Sequence, residues 1–131
     1  MKSYWDTSAL IVALHDEALR GRLDVGEHVT RVHTLAELFS TLTGGRLRFK
    51  YTPAAASLLI EGLCPRLAFV ELDASQTRAA LADAGSRGVT GGRVHDWLHA
   101  VAAGQSGAER LLTSNVDDFR DLESGWTVEA V

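Results

Sequence analysis

The sequence predicts an α/β fold around a central, mostly parallel sheet of four to five strands. Two observations carry that prediction. Short apolar runs alternate with longer segments of helical periodicity from one end of the chain to the other, which argues for right-handed crossovers between parallel strands. Cap and stop residues also fall between these segments, giving each a visible beginning and end.

MKSYW (1–5) reads as the first strand, and DTSALIVALHDEALRG (6–21) as one helix with Leu10, Ala13, Leu14 and Ala18 at helical spacing. HVTRVH (28–33) is the second strand. TLAELFSTLTGG (34–45) follows as a helix with Leu35, Leu38, Phe39 and Leu42 on one stripe and Gly44-Gly45 as its stop. TPAAASLLIEGL (52–63) has Thr52 to cap it, Pro53 at the first helical position and Gly62 just past its end. LAFVEL (67–72), dense in apolar residues, reads as a strand covered on both faces. Asp73 and Ser75 compete to cap a helix through Ala84, and the glycine-rich SRGVTGGR (86–93) ends it in a turn. RVHDWLHAVAAGQSG (93–107) is the next helix, ERLLTS (109–114) a fourth strand, DDFRDL (117–122) a short helix and TVEAV (127–131) an edge strand.

The chain has 131 residues, a size that fits one domain, and its 46% hydrophobic and 23% charged residues are those of an ordinary globular protein. Cys64 stands alone, so no intrachain disulfide is expected. No signal peptide is visible and no run approaches the ~20 apolar residues of a membrane-spanning helix, which makes the cytoplasm the expected location. A net charge of −4 argues against a nucleic-acid binder held by a broad basic face. Bound cations would offset part of that charge if the acids form a metal site.

Four acidic spots recur where a strand hands over to a helix or where a helix begins. They are Asp6, Glu37, Asp96 and the Asn115-Val116-Asp117-Asp118 cluster. Taken alone, Asp6 is equally a helix cap, Glu37 a solvated side chain, and Asp96 a complement to its helix dipole. Asp6 and the segment from Thr113 to Asp118 fall at the carboxyl ends of strands, where sites form in open α/β sheets. Hard cations such as Mg²⁺ take oxygen ligands, one or two carboxylates directly, and keep several waters. Acids from several elements converging on one sheet edge therefore point to metal-assisted chemistry on a phosphate.

In this order, the motifs DTSAL, LAELFSTLT, HDWLHAVAA and TSNVDDF resemble the PIN domains, a family of small metal-dependent ribonucleases. Among them the chain is most similar to the VapC-type toxins of toxin–antitoxin pairs. The resemblance implies a three-layer α/β/α sandwich, a homodimer, and an endoribonuclease dependent on Mg²⁺ or Mn²⁺. It implies RNA as substrate and a small antitoxin as protein partner. It assigns Asp6, Glu37 and Asp96 to the family's first three acids and Thr113 to the hydroxyl of its fourth motif. Where many relatives carry Asp two residues after that hydroxyl, this chain has Asn115. The expected site is therefore Asp6, Asp96 and Asn115 near the metal, with Glu37 and Asp118 as further catalytic carboxylates and Thr7, Thr113 and Asp117 in support. Which of Asn115, Asp117 and Asp118 completes it is open, as is the choice of one metal or two.

Arg46, Arg48 and Lys50 in GRLRFKY, with Arg20 and Arg22 as helpers, are candidate contacts to RNA phosphates, although a solvated loop explains the first three more simply; Arg93, three residues before Asp96, is a further candidate contact or an exposed side chain. His95 and His99 have the i, i+4 spacing of a helical zinc pair, but Asp96 stands where a metalloprotease needs Glu. Packing or surface roles are expected for both. Other readings of the acids are a PIN nuclease of RNA processing, a metal-dependent phosphatase, and a receiver-like binding module. The aspartyl phosphatase pattern is broken by Asp6-Thr7-Ser8, and the late lysine of a receiver is missing, since the lysines are Lys2 and Lys50.

Overall fold

A computed structural model describes residues 1–131. Five strands form one sheet: β1 (Lys2–Trp5), β2 (Glu27–Arg31), β3 (Ala68–Val70), β4 (Arg110–Thr113) and β5 (Thr127–Ala130). Their order is β3-β2-β1-β4-β5, and every neighbouring pair is parallel. The chain winds outward from β1 through β2 to β3, then crosses back to place β4 on the other side of β1. The strand order thus reverses at β1 and β4, which opens a crevice beyond their carboxyl ends.

Six helices cover the two faces. α1 (Thr7–His15), α2 (Glu17–Gly21), α3 (His33–Thr43) and α4 (Pro53–Leu63) follow the first two strands; α5 (Ala74–Ala84) and α6 (Val94–Ser106) lie between β3 and β4. Side chains alternate along β1, so neighbouring Tyr4 and Trp5 enter different cores. Trp5 packs with Leu10, Leu38, Leu42, Ile60 and Leu112 beneath α1, α3 and α4. Tyr4 packs with Val29, Trp97, Ala103, Leu111 and Phe119 beneath α6. A buried leucine in either core contributes roughly 1.5–3 kcal/mol. The result is a three-layer α/β/α sandwich.

Local chemistry sets the element boundaries. Asp6 caps α1 by accepting from the Ala9 N–H at 2.8 Å. The single helix expected over residues 6–21 is broken at Asp16, whose backbone is extended (φ −131°, ψ 107°) and whose side chain caps α2 at the Leu19 N–H. Thr52 caps α4 as expected, but Gly62 lies inside that helix, which runs on to Leu63. Asp73 wins over Ser75 by forming a reciprocal capping box with Gln76. Gly107, at φ 74°, ends α6 in the left-handed conformation that glycine adopts without strain.

Three further expectations are corrected. LAFVEL is an edge strand, so Ala68 and Phe69 are exposed rather than covered on both faces. Phe39 leaves the buried stripe of α3, where Thr34 takes a core position. DDFRDL forms two 3₁₀ turns, Val116–Asp118 and Arg120–Leu122, rather than a short α-helix. No helix is long and apolar enough to cross a membrane.

Candidate active site

β1 ends at Trp5, and its next residue, Asp6, turns into the crevice between β1 and β4. Asp6 is only 4% exposed. Its Oδ1 accepts from the Ser8 hydroxyl at 2.7 Å as well as from the Ala9 N–H, and its Oδ2 accepts from the Thr113 hydroxyl at 2.6 Å. Each hydroxyl has one proton, and both are directed at Asp6. The 3.2 Å approach of Ser8 to Thr113 is therefore a contact between two hydroxyls already committed as donors. Ser8 and Thr113 accept in turn from the backbone N–H groups of Ser114 (2.9 Å) and Asn115 (3.0 Å). β1 and β4 are thus tied together through one carboxylate. A carboxylate offers about four acceptor positions, and these contacts leave Asp6 room for another ligand.

Glu37 projects from the first turns of α3 into the same crevice. Its Oε1 accepts from the Thr7 hydroxyl at 3.1 Å and from His99 Nε2 at 3.0 Å. Burial pushes the Glu37 carboxyl up, but the hydrogen bonds from His99 and from the Thr7 hydroxyl outweigh it and hold the group below its ordinary value. Asp6 goes the other way: burial pushes it up despite the donors around it. Asp96, on the first turn of α6, is pushed up by its partial burial and by the negative charges of Asp118 and Asp6.

These residues line one cleft of about 460 Å³, with Asp6, Thr7, Ser8, Glu37, Asp96, His99, Ser114 and Asn115 on its polar side and Ile11, Val12 and Leu47 on its apolar side. Asp6, Glu37, Asp96 and Asn115 therefore come together as the sequence places them, and Thr7 and Thr113 bind two of those acids directly. Asp118 stands next to the cleft, exposed but close enough for its charge to act on Asp96. Asp117 does not join them: its side chain is 95% exposed and faces Arg120.

The basic candidates separate in the same way. Arg46, Arg48 and Lys50 are exposed on the loop whose Leu47 forms part of the cleft wall. Arg93 lies at the surface, where it donates to both Asp121 oxygens and to the Asp118 carbonyl, so its guanidinium is already engaged by the protein. Arg20 donates to the Ala13 and Leu14 carbonyls and Arg22 pairs with Glu129, so neither serves the cleft.

His99 is the residue that sequence reasoning missed. Expected as packing or surface, it is 3% exposed and its ring bridges the core to Glu37. Its spacing of i, i+3 from Asp96 puts both on one face of α6, a signal the sequence does contain. His95 is exposed, whereas both ring nitrogens of buried His99 are taken by Tyr4 and Glu37, so the pair is not free to share a metal.

No three acidic, histidine or cysteine side chains form a ready-made cage for a metal ion. The donor set nevertheless fits a hydrated Mg²⁺ or Mn²⁺, which needs only one or two direct carboxylates. All the available ligands are oxygens, and Asp96, the Asn115 side chain and Glu37 Oε2 take no hydrogen bond from the protein. A thiolate or paired imidazoles, which zinc would favour, are not offered here.

The backbone arrangement recurs in solved structures. VapBC2 from Rickettsia felis, bound to a DNA fragment from its promoter, contains a chain that superposes with a TM-score of 0.73 at 16% identity, covering 99% of this chain and 98% of that one. The chain has a PIN-like fold. VapBC-1 from nontypeable Haemophilus influenzae gives a TM-score of 0.70 at 19% identity, covering 99% and 98% of the two chains. VapBC-5 from Mycobacterium tuberculosis, of the VapBC family of toxin–antitoxin systems, gives 0.61 at 24% identity, covering 99% and 97%. No protein-family model matches the sequence, and no curated protein matches it. Identities this low speak for the path of the backbone, so the roles of the side chains rest on their geometry.

Proposed function

We propose that the chain is a divalent-metal-dependent endoribonuclease, the toxin of a VapBC-type toxin–antitoxin pair, hydrolysing RNA phosphodiester bonds. The observation that carries this is the convergence of Asp6, Glu37, Asp96 and Asn115 on one cleft at the point where the strand order reverses. The full-length likeness to VapBC structures supports the toxin assignment.

Asp6 and Asp96, with Asn115, would hold the ion; Asn115 adds an oxygen but no charge. When bound, Mg²⁺ or Mn²⁺ supplies Lewis-acid polarisation of a phosphoryl oxygen and lowers the pKa of water. The residues around it divide the remaining work. Ser8, Thr113 and the Ala9 N–H fix the Asp6 carboxylate, so little reorganisation is needed on binding. Glu37, held ionised, is a weak base and a good acceptor, suited to orienting a water for attack on phosphorus. In that attack a bond from the water oxygen to phosphorus forms, the bond to the leaving ribose oxygen breaks, and the proton that the water gives up is balanced by one that the leaving oxygen takes from solvent. Arg46, Arg48 and Lys50 would contact RNA phosphates flanking the cleft. The partner would be an antitoxin that blocks the acids, and the toxin itself would act as a homodimer in the cytoplasm.

Incubating the antitoxin-free chain with labelled single-stranded and structured RNAs tests this reading. Cleavage that starts with Mg²⁺ or Mn²⁺ and stops with a chelator supports it. Cleavage indifferent to the ion, or none with any RNA, overturns it.

A further inference from the structure

Glu37 is not held by its own helix. Two other elements meet at it, with a third behind them: Thr7 from α1 and His99 from α6 both donate to Oε1, and His99 is anchored by Tyr4 from β1. Tyr4 Oη lies 2.7 Å from His99 Nδ1, the rings meet edge to face with centroids 5.7 Å apart, and Tyr4 is 0% exposed. Glu37 can only accept while ionised, so Nε2 must carry a proton. Tyr4 O–H can then donate to a bare Nδ1, so that both ring nitrogens of His99 have a partner.

We infer that His99 is a positioning residue of the site: Tyr4 fixes its ring in the Nε2–H tautomer, and that N–H holds Glu37 with Oε2 left for the reaction. This rests on the nuclease reading above. Two consequences follow from the placement. Oε1 is occupied by two protein donors, so any water or cation must use Oε2, which selects one carboxylate geometry. The same Tyr4–His99 bond also sets the rotation of α6 against β1, and α6 carries Asp96 three residues before His99. One hydrogen-bonded ring thus aligns Glu37 directly and Asp96 through the helix, relative to Asp6 at the end of β1. In metal sites, outer partners of this kind typically change activity or affinity by about 10–100-fold.

Glutamine offers a test that separates position from mere packing, because its amide can both accept from Tyr4 and donate to Glu37. His99→Leu is expected to lower kcat for RNA cleavage by about 10–100-fold with KM little changed, and His99→Gln to recover most of it. Tyr4→Phe keeps the ring packing and is expected to give an intermediate loss of kcat. Nitrogen-15 NMR of the metal-free protein reads the tautomer without reference to activity: His99 should show a protonated Nε2 and a bare Nδ1, and Tyr4→Phe should disturb that pattern. His99→Leu with unchanged kcat, His99→Gln as weak as His99→Leu, or an Nδ1–H tautomer in the intact chain would each overturn the inference. Should His99→Leu fail to fold, the Gln and Phe variants and the NMR pattern still decide. An intact chain that cleaves no RNA removes the nuclease reading, and the positioning role with it; a wrong tautomer in a cleaving chain removes the positioning role alone.

Discussion

Tyr4 and Trp5 are neighbours on one strand, yet each grips a buried histidine on its own face of the sheet. Trp5 Nε1 donates to His28 Nδ1 at 2.9 Å, and His28 Nε2–H donates to the Val25 carbonyl at 2.7 Å. Tyr4 and His99 repeat the arrangement, and even the ring geometry agrees, with centroids 5.7 Å apart in both pairs and interplanar angles of 71° and 69°. The difference lies in where each chain of hydrogen bonds ends. His28 ends on a backbone carbonyl and ties a loop to the sheet. His99 ends on Glu37, a carboxylate open to the cleft. The same local solution for burying an imidazole serves stability on one face and chemistry on the other.

The strongest way to sharpen this contrast is Asp96→Asn. Asp96 makes no hydrogen bond within the protein and stands against the charges of Asp118 and Asp6. Cleavage is expected to fall by more than the roughly 10–100-fold typical of a ligand's outer partners, while the melting midpoint of the metal-free protein holds or rises. Calorimetry and a cleavage assay on the same sample check both halves.

His28→Leu should break the other side. It leaves the Trp5 N–H and Val25 carbonyl without their partner, a loss of about 2–3 kcal/mol in denaturant titration. Turnover per folded molecule should stay unchanged. A fall in turnover comparable to that of His99→Leu would erase the distinction between the two histidines.

A smaller effect concerns pH. Burial raises the Asp6 carboxyl in the fold above its unfolded value of about 3.9. Such a group favours folding fully below the unfolded value and loses that contribution as pH rises through the folded one. Glu37, whose carboxyl is held down, works in the opposite sense. The melting midpoint of the metal-free chain should therefore fall less steeply with rising pH, from about 4 upward, once Asp6→Asn removes the raised group. Identical pH slopes in the two proteins would contradict this.

The smallest effect is a control far from the cleft. Asp73→Ala removes the capping box of α5 and should cost about 1 kcal/mol of stability without altering cleavage.

Much of this was legible in the sequence, because local chemistry decides it. The cap at Thr52, the alternation of strands and helices, and the placing of Asp6 and Thr113 at strand ends all follow from residue type and spacing. What could not be read depends on tertiary neighbours. Asp16 breaks a helix whose apolar spacing continues past it, since an Asp can cap as well as join a helix. Phe39 falls outside the buried stripe of α3, while Thr34, whose hydroxyl accepts from Thr30 at 2.8 Å, falls within the core. His99 is the most instructive miss. Its spacing from Asp96 is plain, but its role needs Tyr4, 95 positions away, to be at hydrogen-bonding distance. Arg93 is a cation whose position in the sequence is plain but whose partner is not: Asp121, 28 positions away, takes its guanidinium.

The central claim is that the cleft beyond β1 and β4 is a metal-dependent nuclease site. Its most direct test is the rate of Mn²⁺-dependent RNA cleavage by Asp6→Asn and Asp96→Asn beside the intact chain, with folding of each verified. The expected result is ion-dependent cleavage by the intact chain and its loss in both variants. Cleavage that survives in either folded variant, or that persists in chelator, would contradict it.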